Sequence, residues 1–325
     1  MPHDTKRNVT RRETLLGEMD RAIPWARIIP LIAPHYPKAG RGRRPLPMET
    51  LLRVYFLQQW FNLSDPQAED MLYDSESMRR FARVELGEDT VPDESTMLRF
   101  RHLFETHQLT AQIFNEVRAL LEEQRLLLKA GTIVDATIIA APSSTKNTAQ
   151  ARDPEMTQTK KGQPWYFGMK VHVGTDTRGM VHTLTTTDAA TSDISQLSDL
   201  LHGQESALFG DKAYDKAYDK AYDKAYDKAY DKAYDKAEDK AQWEAAGGAY
   251  RINRRGKRNA RWDTINATRS RFRARCEHVF HVVENLWGFT TVRYRGLAKK
   301  PVRVYAAFAL ANLYRVRHKL RPQGT

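Results

Sequence analysis

Three acidic residues stand out by context rather than by type. Asp135 interrupts the apolar run at 131–140 (GTIVDATIIA), and Asp211 directly follows the apolar run at 206–210 (SALFG). Glu277 lies in a helix-patterned stretch behind a strongly basic one. An aspartate inside a buried strand is costly unless a cation or hydrogen-bond donors meet it. A lone acid at a strand end is ordinarily a cap or turn former. Three such acids on a basic chain suggest a metal-assisted phosphodiester site. Hard divalent cations take oxygen ligands, and two ions held by clustered carboxylates stabilise the attacking and leaving oxygens of an in-line displacement. The net charge of +12 has the sign a nucleic-acid partner requires.

Positioning such acids takes a sheet and a helix. Short strands are predicted at 132–139, 167–174 and 180–185, with hairpin turn chemistry in DTRG at 176–179. A helix at 192–201 capped by Ser192, then a strand at 206–210, completes an α/β layer. Residues 143–164 read as a loop. A helix at 264–286 carries Glu277 at the border of an apolar stripe made by Val279, Phe280, Val283, Leu286 and Trp287. The chain before residue 130 reads as all-helical, with strong helices at 48–61 and 109–128 and shorter ones at 67–73, 77–83 and 95–104. Ser64 is the N-cap and Pro66 the first-turn proline of the helix at 67–73. Pro30, Pro34 and Pro37 break up the region after Trp25, and Pro301 opens a last amphipathic helix. The helix pair between 64 and 83 reads either as a helix-turn-helix or as a packing unit. Two domains follow: an all-helical one at 1–129 and an α/β one at 130–325.

Composition narrows the class. With 41% hydrophobic and 28% charged residues the chain is globular. No apolar stretch approaches the roughly 20 residues of a membrane span, and no signal-peptide pattern opens the chain. One cysteine, Cys276, excludes an intrachain disulfide and a cysteine-rich zinc finger. A soluble, cytoplasmic chain without a membrane partner is expected. Cys276 reads as a packing residue, His172 as structural, and Asp176 and Asp188 as turn formers. Basic clusters stand at 38–45 (KAGRGRRP) and 251–262 (RINRRGKRNARW). The first reads equally as a phosphate-contacting arm or a solvated linker.

From Asp211 the tetrapeptide DKAY recurs six times to Tyr234, then continues as DKAE and DKAQ. A period of four does not fit coiled-coil heptads, and Tyr and Asp are weak helix formers. The array, at about 211–241, reads as a DNA-tracking arm or as a tandem duplication carried in an exposed connection. Asp215 and Asp219 repeat the context of Asp211, but only Asp211 has an apolar strand before it.

The blocks IVDATIIAAP, ALFGDKAY, RARCEHVFHVVENLWGF and TVRYRGLAKK, in that order, resemble those of bacterial DDE transposases of the insertion sequence 5 family. The stretch at 51–102 resembles that family's N-terminal helical region. The resemblance covers nearly the whole chain. It implies an RNase H-like mixed-sheet catalytic domain behind an all-helical DNA-binding domain, and dependence on Mg²⁺ or Mn²⁺. It assigns Asp135, Asp211 and Glu277 as the three catalytic, metal-holding acids. An arginine four residues before the third acid is usual, and Arg273 fits. A basic residue is usual seven residues after it, where this chain has Glu284. Seven residues is about two turns, so Glu284 falls on the face of Glu277, with Arg293, Arg295 or Lys299 near enough to compensate.

The function expected from this resemblance is transposition. A phosphodiester at the element end is hydrolysed, and the freed 3′-hydroxyl attacks target DNA. Arg273, Arg254, Arg255, Lys257, Arg258, Arg293, Arg295, Lys299, Arg43 and Arg44 are the expected DNA contacts. Partners are double-stranded DNA at element ends and target, and further copies of the chain, with the protein nucleoid-associated when bound. Two other readings stay open: a catalytically impaired DNA-binding remnant, supported by Glu284 and the repeat array, and a metal-dependent nuclease without strand transfer.

Overall fold

A computed structural model describes residues 8–40, 44–146, 150–160, 162–211, 245, 249–252, 270–271, 273–293 and 300–320. Contacts divide the chain into two compact units that differ from a simple cut at residue 129. The first comprises 1–124, 286–289 and 302–325, and the second 125–285 and 290–301.

The first unit is helical. Its α-helices before residue 125 are α1 (Arg11–Ala22), α2 (Trp25–Ile32), α3 (Met48–Trp60), α4 (Asp65–Asp74), α5 (Glu76–Ala82), α6 (Glu94–His107) and α7 (Leu109–Glu123). Local signals account for many of their ends. Ser64 accepts from the Gln67 amide while the Gln67 side chain accepts from the Ser64 amide, a capping box at the start of α4. The α6 cap is Asp93, whose carboxylate accepts from the Thr96 amide at 2.6 Å. Pro30 lies inside α2 instead of ending it. Ile28 and Ile32 of that helix are fully buried, and their packing outweighs the proline penalty of about 3 kcal/mol. No helix among the described residues is long and apolar enough to cross a membrane.

Helix α3 is the centre of this unit: every residue from Thr50 to Trp60 is buried. A helix buried all round must be enclosed by others. Its one buried charge, Arg53, donates from Nη1 to Asp20 at 2.7 Å and to the Phe81 carbonyl at 3.0 Å. The guanidinium also stands 2.9 Å from Glu49 and 4.0 Å over the Trp25 ring. Arg53→Ala is expected to cost about 3 kcal/mol, the lower end for breaking a buried pair because Asp20 and Glu49 keep some solvent access. Urea unfolding measures this, and a loss below about 1 kcal/mol would contradict it.

Among the described residues the second unit holds a six-stranded mixed sheet. Strand β1 (Thr132–Ala140) runs antiparallel to β3 (Trp165–Thr175) and parallel to β5 (Ala207–Gly210), which is parallel to β6 (Ala249–Ile252). The far edge of β3 is shared end to end by β2 (Thr157–Lys160) and β4 (Val181–Asp188). This is the α/β, RNase H-like arrangement expected. The β3–β4 turn closes as the DTRG signature requires: the Gly179 amide donates to the Asp176 carbonyl at 2.8 Å, and Gly179 has φ +80°. A Cβ at Gly168 would stand 2.2 Å from the Ile139 carbonyl oxygen, so only glycine lets β3 approach β1 there. One face of β1 packs Val134 against Leu200 and Leu208; Leu200 belongs to α8 (Leu197–Leu200), behind a 3₁₀ turn at Asp193–Gln196.

Four further elements differ from the sequence reading. Strand β2 lies in the stretch read as a loop, and β6 at the edge of the basic stretch was not anticipated. Both are four residues long, too short for a periodicity to register. The region at 192–201 is a 3₁₀ turn plus one α-helical turn, and Ser192 makes no side-chain cap bond. The helix bearing Glu277, α9, is α-helical at 273–280 and then π-helical at His281–Leu286. The wider winding shifts the stripe: Val282 is buried and Leu286 is 51% exposed, the reverse of the 3.6-residue expectation for Leu286.

Candidate active site

Strand register brings the first two acids together. The parallel pair Ile133–Phe209, extended by two residues on each strand, puts Asp135 level with Asp211. The period of two keeps each acid on the face of its paired predecessor. Asp135 is paired with Val173 of β3, which is fully buried. The carboxylate therefore emerges from an apolar surface, and its Oδ1 accepts from the Ala136 amide at 3.0 Å.

Helix α9 adds the third acid and a cation. Arg273 Nη1 stands 3.7 Å from Asp135 Oδ2 and 3.7 Å from Asp211 Oδ2, while Nη2 is 3.6 Å from Glu277 Oε1. Arg273 and Glu277 are four apart and so share a helix face. One guanidinium thus lies among three carboxylates that are far apart in sequence. Cys276 and Val279 beside them are fully buried and anchor the helix, whereas Glu277 is 60% exposed. The three acids offer only oxygen donors, the set that a hard divalent cation prefers, and they have drawn in positive charge. Among the described residues no three metal-ligating side chains stand close enough to share one ion. The donor chemistry fits a metal; the spacing here is the spacing that suits a guanidinium.

Glu284 has its own partner, which sequence reasoning missed. Thr137 Oγ1 donates to Glu284 Oε1 at 2.6 Å. Thr137 follows Asp135 by two residues and shares its sheet face. No local pattern signals this bond, which joins residues 147 apart.

The expected phosphate contacts divide. Arg293 is exposed, beside Val292, whose amide donates to the Ala140 carbonyl at the end of β1. Arg44 is exposed in the first unit and lines a cavity of about 300 Å³ with Tyr36, Leu46, Arg99 and Phe100. Arg43, Arg254, Arg255, Lys257, Arg258, Arg295 and Lys299 lie outside the described residues, as do residues 212–241 of the repeat array.

His172 is kept apart from the acids. It pairs with Ala136 across the β1–β3 ladder and so shares the sheet face opposite Asp135. Its Nε2 lies 2.8 Å from Thr187 Oγ1, and Nδ1 lies 3.7 Å from Asp193, which Lys170 meets at 3.0 Å. Burial pushes its pKa down to about 4, reinforced by Lys170 and opposed by Asp193 and Asp188. Between that value and the unfolded value near 6.5 the unfolded chain binds a proton that the folded chain does not. Stability should therefore rise with pH across this window and be lost as pH falls, by at most about 1.4 kcal/mol per pH unit. His172→Gln should flatten that slope in urea titrations at pH 4.5 and 7. An unchanged slope would assign the acid sensitivity elsewhere.

Two family models match the chain. Residues 127–313 match the model described as Transposase DDE domain, and residues 3–103 match the one described as Transposase domain (DUF772).

Proposed function

The chain belongs to the DDE transposases of insertion sequences, and from that premise we propose that it cuts DNA at the ends of its element and joins the freed 3′-hydroxyl to target DNA. Enzymes of this family are metal-dependent and act on DNA. The observation that carries the finer reading is the convergence of Asp135, Asp211 and Glu277 on one guanidinium. In this reading the three acids hold divalent metal, Mg²⁺ or Mn²⁺. Metal held there would supply charge stabilisation for an in-line displacement at phosphorus.

The chain's own residues do the rest. The apolar surroundings of Asp135, built from Ile133 and Val173, keep bulk water from one side of its carboxylate. Arg273 neutralises the acids until DNA arrives and then turns to a backbone phosphate. Arg293, exposed beyond the end of β1, offers a second phosphate contact. The excess of basic residues supplies sequence-independent affinity for the duplex. Two element ends must meet for transposition, so two or more copies of the chain act together on DNA.

The test uses a labelled element-end duplex, a target duplex and Mg²⁺ or Mn²⁺. Cleaved and joined products are expected. Binding without cleavage would make the chain a DNA-binding remnant, and cleavage without joined product would make it a nuclease.

A further inference from the structure

We propose that Glu284 is a positioning residue of the metal site: through Thr137 it fastens the helix that carries Glu277 to the strand that carries Asp135. The proposal rests on the site assignment above. Set against the family pattern that the chain resembles, Glu284 is a charge reversal, an anion where a base is expected. In the fold its carboxylate is engaged by the Thr137 hydroxyl at 2.6 Å. A hydrogen bond to an ionised acceptor is about twice as strong as a neutral one. Thr137 is 8% exposed, so the hydroxyl end of this bond is shielded from competing water, and its β-branched side chain has few rotamers to lose.

The placement of the bond gives it a role. Thr137 is two residues beyond Asp135 on the same face of β1. Glu284 is seven residues beyond Glu277, inside the π-helical turn at His281–Leu286. That turn breaks the two-turn alignment with Glu277, and the side chain of Glu284 meets β1. The chain returns to the same strand at Thr290–Val292, where the Ala140 amide donates to the Thr290 carbonyl at 2.9 Å and the Val292 amide donates to the Ala140 carbonyl at 2.8 Å. Backbone bonds thus hold the end of β1, while a side-chain bond from α9 holds its middle beside Asp135. Losing the Thr137–Glu284 bond frees the helix to shift against the strand and changes the separation of Asp135 and Glu277, two of the acids that would hold metal.

Mn²⁺ binding by the full chain, read by electron paramagnetic resonance, tests this together with thermal unfolding. Glu284→Ala and Thr137→Val should each weaken Mn²⁺ binding roughly tenfold, the size expected when a partner that orients a ligand is lost. The double variant should be no worse than either single one. Glu284→Gln and Thr137→Ser, which keep an acceptor and a donor, should bind within about twofold of the parent. Unchanged Mn²⁺ binding in Thr137→Val, or additive losses in the double variant, would overturn the proposal. So would Glu284→Lys binding Mn²⁺ like the parent while gaining DNA affinity, which would make the position a phosphate contact. Asp135→Asn separates the two levels. If it also leaves Mn²⁺ binding intact, the site assignment itself fails; if it alone abolishes binding, only the role of Glu284 fails.

Discussion

Asp135→Asn is expected to lower cleavage of element-end DNA by about three orders of magnitude or more while the chain stays folded and still binds DNA. Asparagine has nearly the same shape, and its carbonyl oxygen can keep the bond from the Ala136 amide. What it lacks is the charge. Metal polarisation of a phosphodiester is worth several kcal/mol of transition-state stabilisation, and each 1.4 kcal/mol is about tenfold in rate. Stability should hold, because a neutral amide costs less to bury against the apolar surface formed by Ile133 and Val173 than a carboxylate does, which offsets the lost attraction to Arg273. Single-turnover cleavage of labelled duplex, with the melting temperature as control, measures the effect. Cleavage within about tenfold of the parent would remove Asp135 from the site.

Arg273→Ala should move metal binding and DNA binding in opposite directions. In the free protein the guanidinium stands 3.6–3.7 Å from all three acids and competes with any other cation for them. Unit charges about 4 Å apart interact by about 4 kcal/mol at an effective dielectric near 20, and solvent around the exposed Glu277 reduces that. Roughly tenfold to hundredfold tighter Mn²⁺ binding without DNA is therefore expected. The same change should weaken binding to the end duplex and reduce the salt dependence by about one phosphate contact. Cleavage falls even though the metal binds better. If Mn²⁺ binds no tighter in Arg273→Ala, the guanidinium is not competing for the acids.

Much of the fold is legible in the sequence, for local reasons. Ser64 with Gln67 and DTRG at 176–179 carry their geometry within four residues. The apolar run around Asp135 reads as a strand because no helix would bury one acid among so many β-branched neighbours. Strand β2 was not legible: TQTK has alternating half-buried and exposed residues and exists because β3 offers it an edge. Leu286 was misplaced because periodicity assumes 3.6 residues per turn and a π-helical turn does not keep it. The last helix, α10 (Lys300–Val316), was read as part of the α/β half of the chain. Its 302–316 stretch belongs to the first compact unit, where Phe308 and Leu310 are buried.

The sequence by itself determined which residues are chemically conspicuous: Asp135 in its apolar run, Asp211 after its strand, Glu277 one helical turn beyond Arg273. Those are statements about neighbours along the chain, and propensity and spacing suffice for them. Only the tertiary structure decided what each acid meets. The parallel register of β1 and β5 sets Asp135 level with Asp211, α9 brings Arg273 among the carboxylates, and Thr137 turns the anomalous Glu284 into a partner of the strand. The physical reason is range. A hydrogen bond or an ion pair acts over a few ångströms of space whatever its separation in sequence, and only the folded backbone says which distant residues come that close.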